Sequence, residues 1–255
     1  MMHEQSITQI AEPHSSWEFL HQGSPEDFIQ ALCTDAQQHP AVRHPYLQRL
    51  ASGKLPDIKS AIRDYCHQYY FYSAEFPTYL EAVIGRLPSA HHREIVRQNL
   101  EEERGLDSAG SEVVSHVELF HRFRQAAGVT DEYGAKISAC MTVLIWRDLF
   151  LQKCKSQHPG VGLGAIGIGT EMVVSTIYRY LHQAVARHTD MTAADYEFLT
   201  LHMQCDDEHG DLMRQISLEL AEDLGQREAL RFGVMSSLNL RNAFWDVMLA
   251  RAVAT

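Results

Sequence analysis

The chain has 255 residues and a formal net charge of −11 with histidine neutral. Hydrophobic residues make up 45% and charged residues 22%, a globular composition that excludes extended disorder. The acidic balance argues against a general binder of nucleic acid or of anionic membranes, because neither phosphates nor acidic lipids attract such a field.

The longest apolar stretch, residues 137–146, is about half a bilayer span, so no transmembrane helix and no membrane partner are expected. The N-terminal residues lack a basic region followed by an apolar one, and five cysteines without a C-x-x-C pair fit reduced thiols; a cytoplasmic protein is expected. Histidine is abundant, at 15, which is a reason to look for metal.

Apolar residues recur at helical spacing throughout, and no segment alternates as a strand would. Residues 1–22 read as a loosely held arm, and residues 23–255 as a single all-α domain of about nine helices. Ser24-Pro25 opens the first helix, which runs to residue 38 before His39-Pro40. A short helix over 46–52 is closed by Gly53. Helices are then expected over 56–87, with a kink from Pro77 beside Glu75, and over 89–104. The breaker-rich stretch 105–115 reads as loop, and Ser115 with Glu118 has the spacing of a capping box for a helix over 116–128. The remaining expected helices cover 131–157, 163–188, 192–224 and 226–251.

The sharpest chemical signal is H-M-Q-C-D-D-E-H at 202–209. At 100° per residue, Asp206 and His209 lie within about 40° of His202, on one stripe two turns long. Imidazole and carboxylate on one stripe suit a divalent iron, manganese or zinc site, although the same pattern also suits a solvated polar face. A stripe cannot complete a coordination sphere, so other inward carboxylates are required. Glu171, among apolar and small neighbours, is expensive to bury unless paired or bound to metal. Glu75 sits in an aromatic stretch with Tyr72 and Tyr79 about one turn either side; a carboxylate bonded to a tyrosine is its simpler explanation. Glu101, Glu102 and Glu103, and His116 beyond them, are unspecific on their own.

In order, the set comprises Glu75 before Phe-Pro, the N-x-x-x-E pair Asn99/Glu103, H-x-E-L-F from His116, Glu171, and H-x-x-x-D-x-x-H at 202–209. It resembles the haem-oxygenase-like diiron oxidases and oxygenases over about residues 40–225. The resemblance implies a haem-oxygenase-like helical bundle with metal ligands at Glu75, Glu103, His116, Glu171, His202, Asp206 and His209. It further implies two iron ions, dioxygen as cosubstrate, oxidation of a small organic molecule in specialised metabolism, and a homodimer. The longer spacing from Glu103 to His116 leaves open which glutamate of 101–103 faces inward.

Arg147, which interrupts an apolar run with Asp148, is either half of an ion pair or the receiver of a substrate carboxylate. Arg179, Tyr178 and Tyr72 are candidates for the same substrate wall. Substrates in the resembled family include amino acids, oxidised by N-oxygenation, desaturation or C–C cleavage, and fatty acids, which are decarboxylated; the polar wall candidates favour an amino acid or small amine. Relatives with the same helical shell include a cofactorless quinone-forming oxidase and Cys-dependent thiaminase-type hydrolases, for which Cys140 or Cys205 would have to serve. Two decoys are set aside. G-L-G-A-I-G at 162–167 lacks the preceding strand of a dinucleotide site, and its glycines better serve close helix packing. The paired E-x-x-H motifs at 18–21 and 118–121 would suggest a ferritin-like bundle, but the first lies in the arm.

Overall fold

A computed structural model describes residues 23–107 and 109–254, with backbone only at 204–208. The described residues are helical, as expected, and a single continuous cluster of buried side chains runs through them.

Helix α1 (Pro25–Gln38) starts as the sequence indicates, with the Ser24 hydroxyl accepting from the Asp27 amide at 3.1 Å and Pro25 in the first turn. A 3-10 turn (Pro40–Arg43) and α2 (Pro45–Ala51) follow, and histidines cap both. His39 Nδ1 accepts from the Ala41 amide while Nε2 donates to Asn239, and His44 Nδ1 accepts from Tyr46 while Nε2 donates to Asp246. Both nitrogens of each ring are engaged, so part of the histidine excess is structural rather than metal-directed. His67, which donates to the Ile137 carbonyl at 2.6 Å, and His92, paired with Glu219 at 2.8 Å, extend that explanation.

The expected helix over 56–87 is two helices, α3 (Ile58–Ser73) and α4 (Phe76–Ile84), broken at Ala74 and Glu75. Pro77 supplies no backbone donor, and the chain turns there rather than bending. Helix α5 (Ala90–Glu103) is capped by Ser89, and α6 (His116–Ala126) by Ser115. Only half of the capping box at Ser115 is made: its hydroxyl accepts from the Glu118 amide, while the Glu118 carboxylate turns outward to Arg122.

The expected helix over 131–157 is also divided, into α7 (Asp131–Lys136) and α8 (Met141–Cys154). The cause is tertiary. Side chains of α3 take over the backbone groups between them: Gln68 accepts from the Cys140 amide at 2.7 Å and donates to the Ser138 carbonyl, and His67 takes the Ile137 carbonyl. A long helical rod follows: α9 (Pro159–Ile166), a π-helical turn (Gly167–Glu171) and α10 (Met172–His188). By length and composition this rod could cross a bilayer, with a mean hydropathy of 1.4 over its most apolar window, because glycines and small residues carry its apolar character past residue 146. It is instead the core helix of the bundle, 89% buried. Its glycines let α9 lie against the last helix, α12 (Leu224–Val253): a Cβ on Gly164 would stand 2.5 Å from the Leu230 carbonyl, and one on Gly233 would meet the Val161 carbonyl. Between them, α11 (Glu197–Leu220) follows a 3-10 turn (Ala193–Tyr196) and so begins later than the expected 192.

Candidate metal centre and its relatives

Three of the expected ligands meet. One ligand atom each from Glu103, His116 and His202 lies within 4.8 Å of the other two, and all three residues are buried. They arrive from the last residue of α5, the first residue of α6 and the second turn of α11. The long interval from 103 to 116 is a pinned turn. Gly105, at φ 90°, has the Val113 carbonyl where a Cβ would be. The Asp107 carboxylate accepts from the amides of Ala109 and Ser111, and Leu106 bridges Glu112. The turn returns the chain beside its starting point, so residues thirteen apart in sequence become neighbours. Of the acidic run, Glu103 faces inward, Glu101 is exposed and Glu102 pairs with His209 at 2.9 Å.

Glu171 is buried (4% exposed) at the end of the π turn. Thr170 satisfies the turn by donating to the Ala165 carbonyl at 2.9 Å, and Asn99 Nδ2 donates to Glu171 Oε1 at 3.2 Å. A π turn inserts one residue into the helical register, which re-aims the side chains after it, and such turns favour functional sites. Glu75 is half-buried at the α3–α4 break and stands outside the three-residue cluster. The Asp206 side chain falls outside the described residues, although its backbone lies on α11.

The donor set fits a metal. His202 Nδ1 donates to the Phe198 carbonyl at 2.8 Å, which fixes the tautomer and leaves Nε2 with its lone pair. Burial and the adjacent His116 hold the His202 pKa down at about 3, so the ring is neutral in ordinary buffers. His116 Nδ1 stands 2.9 Å from Glu103 Oε1, yet it lacks the alignment of a hydrogen bond and is otherwise unpartnered. Two ligands each about 2.1 Å from one ion and about 90° apart would stand about 3.0 Å from each other. Burial works to raise the Glu103 pKa, but the neighbouring histidines, His116 foremost, bring it below its ordinary value. Glu171 goes the other way: burial raises it, and the negative charge of Glu103 adds to the rise against the opposing His209.

Against this cluster lies a small cavity of about 30 Å³, walled by Tyr69, Tyr72, Phe120, Tyr178 and Phe198. That is room for roughly two waters. Of the residues expected on a substrate wall, Tyr72 and Tyr178 line it. Arg147 does not: it is on the α8 surface, with Nε donating to Asp148 at 2.8 Å, so the ion-pair reading holds there. Arg179 is exposed, because its position on α10 faces away from the core.

Behind the cavity wall, against Tyr72, lies a buried basic residue that sequence reasoning missed, Arg241. It is 1% exposed, and its guanidinium carbon is 5.1 Å from the Trp146 ring centroid and 6.0 Å from that of Tyr72. A signal existed: Arg241 sits at helical spacing from Leu238, Phe244, Trp245 and Met248, on the apolar stripe of α12. No described cysteine lines the cavity, and burial pushes Cys33 up to about 11 and Cys66 and Cys154 upward as well. These three thiols are therefore poor nucleophiles. The side chain of Cys205 falls outside the described residues.

Residues 63–242, well over half of the chain, match a family described as iron-containing redox enzymes. The chain belongs to that family. This family member is 23% identical over 221 residues to a 4-aminobenzoate synthase of Chlamydia pneumoniae, covering 87% of this chain and 93% of the relative. Solved structures show the same fold. They include a TenA homologue from Pseudomonas syringae (TM-score 0.68, 15% identity, covering 87% of this chain and 91% of the other). A CADD-like protein of unknown function from Nostoc punctiforme gives 0.69 at 16% identity, covering 90% and 98%. A Shewanella denitrificans domain described as having a heme oxygenase-like fold gives 0.64 at 14%, covering 89% of each. The fold is haem-oxygenase-like, as the sequence pattern implies.

Proposed function

We propose that this member of the iron-containing redox family is a cytoplasmic oxidase or oxygenase that binds two iron ions and uses dioxygen to oxidise a small amine or amino acid in a biosynthetic reaction. The observation that supports it most is the buried convergence of Glu103, His116 and His202, with Glu171 held beside them by Asn99. Glu103, His116 and His202 would hold one ion. Glu171, His209 and Asp206 are the candidates for the remaining positions. Iron bound there would supply the electrons that dioxygen requires.

The chain's own residues do the positioning. The Phe198 carbonyl holds His202 in the tautomer that offers Nε2, and Asn99 orients one oxygen of Glu171. The hydroxyls of Tyr69 and Tyr178 meet at 3.1 Å, and the Tyr178 ring packs edge-on to His202 at 5.4 Å. This aromatic wall excludes bulk water and strengthens the electrostatics within. A short cavity with four tyrosines in its lining favours a compact polar substrate over a long acyl chain, and so favours the amine reading over fatty-acid decarboxylation. The name of the relatives, 4-aminobenzoate synthase, supports a small amine-bearing molecule. The buried donor set favours metal chemistry over a cofactorless oxidation.

The test is iron retained per chain after anaerobic Fe(II) loading and desalting, followed by dioxygen consumption. The native protein is expected to retain nearly two irons and to consume oxygen, and His202→Ala is expected to lose both. Equal iron in the two proteins, or none in either, would overturn the reading.

A further inference from the structure

Among the orphaned polar groups of the core, several cluster around one cation. Arg241 is buried, its Nε and Nη1 have no hydrogen-bond partner, and no ion pair joins it to any described residue. A guanidinium does not deprotonate in a protein, so this charge is permanent, and burying it unpaired is costly. Its surroundings supply tyrosine hydroxyls, Tyr69 foremost, and indole N–H groups, but no carboxylate of a described residue pairs with it. The hydroxyls of Tyr65 and Tyr72 and the indole N–H groups of Trp146 and Trp245 are buried and unpartnered too. Tyr65 stacks on Tyr69 at 5.2 Å and tilts against Trp245 at 5.9 Å, and Tyr72 stacks on Trp146 at 3.8 Å. These residues are one continuous aromatic nest. Among the described residues, it holds no anion to pair with Arg241.

Tyr69, Tyr72 and Tyr178 belong to this nest and also form the inner wall of the cavity beside Glu103, His116 and His202. We propose that Arg241, with the tyrosine hydroxyls between it and the cavity, is the seat of the substrate's carboxylate. The substrate class is then a compact carboxylic acid whose oxidisable end faces the glutamate–histidine cluster. This rests on the reading of the cavity as a substrate site. A carboxylate brings two oxygens that accept several hydrogen bonds and match a guanidinium bidentately, which supplies what the nest lacks. Seating such an acid requires the wall to move, and the unpartnered hydroxyl of Tyr72 surrenders no hydrogen bond in doing so.

The test uses the full-length metal-free chain with benzoate as the probe, read by tryptophan fluorescence and by thermal unfolding. Benzoate is expected to quench the fluorescence saturably and to raise Tm, while benzamide, its uncharged counterpart, binds far more weakly. Arg241→Met is expected to weaken benzoate binding roughly thirtyfold or more. The same variant, without ligand, is expected to unfold at the native temperature or above it, since an unpaired buried charge has been removed. Arg241→Lys is expected to recover part of the binding, and it serves as the working variant together with the benzamide comparison if the methionine protein does not fold. Unchanged benzoate affinity in Arg241→Met, or benzamide binding as tightly as benzoate, would overturn the proposal. So would chloride raising Tm as much as benzoate, which would make the nest a site for small inorganic ions. Iron loading is measured separately: loss of the iron reading leaves the benzoate titration standing, and the reverse also holds.

Discussion

At the scale of single residues, the site is a set of groups whose protonation is set by their neighbours. Burial opposes charge on His116, but Glu103 beside it raises its pKa overall, and Glu171 is raised by burial and by Glu103. A metal requires both groups deprotonated, so each binding event displaces protons that these residues hold more tightly than usual. Iron affinity should therefore rise with pH, and anaerobic titrations at about pH 6 and about pH 8 should show the tighter binding at the higher value. In the metal-free chain the sign reverses for His116. Its pKa is raised, so its ion pair with Glu103 contributes most at low pH and fades as pH rises through the raised value; the lowered pKa of Glu103 sets the acid limit of the same window. Asn99→Leu should leave the fold intact and weaken iron binding roughly tenfold to a hundredfold, measured by competition with a chelator, because Glu171 loses the donor that orients it.

At the scale of elements, two close approaches depend on glycine, one at the site and one in the packing of the bundle. The turn between α5 and α6 brings Glu103 to His116 through Gly105, whose φ of 90° and contact with the Val113 carbonyl exclude a side chain. Gly105→Ala should cost about 1–3 kcal/mol in urea unfolding and should also reduce iron retention, because the two ligands no longer arrive together. Gly164 serves packing instead. Gly164→Ala places a methyl group against the Leu230 carbonyl, and a loss of about 1–3 kcal/mol is expected with the cluster's own residues untouched. Comparing iron retained by the two variants at low temperature, where both are folded, separates a site defect from a packing defect. The elements most legible in the sequence were those with local punctuation: Ser24-Pro25 before α1, Ser89 before α5 and Ser115 before α6. The α7–α8 break was not legible, because the groups that cause it, His67 and Gln68, lie some seventy residues away.

For the whole molecule, the aromatic core and the site are one structure. Tyr72 stacks on Trp146 at 3.8 Å and meets Phe150 at 5.2 Å, Phe244 packs on Trp146 at 5.2 Å, and Trp146 also faces Arg241. Trp146→Ala should destabilise the chain by about 3–5 kcal/mol in urea unfolding, through the lost burial and the cavity it leaves. An unchanged midpoint would show that the core does not close around this ring. The histidine count illustrates how composition misleads at this scale. His39, His44, His67 and His92 tie helices together across the fold, and among the described residues only His116 and His202 meet in the cluster, with His209 turned to Glu102.

Sequence alone determined the all-helical class, most helix starts, and the stripe that places His202 and His209 on one face, because caps and a 3.6-residue period are local properties. It also marked Glu171 as a carboxylate with no cheap place to be buried. Only the tertiary structure decided which glutamate of 101–103 faces inward, that Arg147 and Arg179 lie outside the cavity, and that Arg241 is buried against Tyr72 behind its wall. Those outcomes depend on which chain segments meet: a pinned turn, a π-helical shift of register and a glycine-lined crossing of α9 with α12. No local pattern encodes a meeting between residues that far apart.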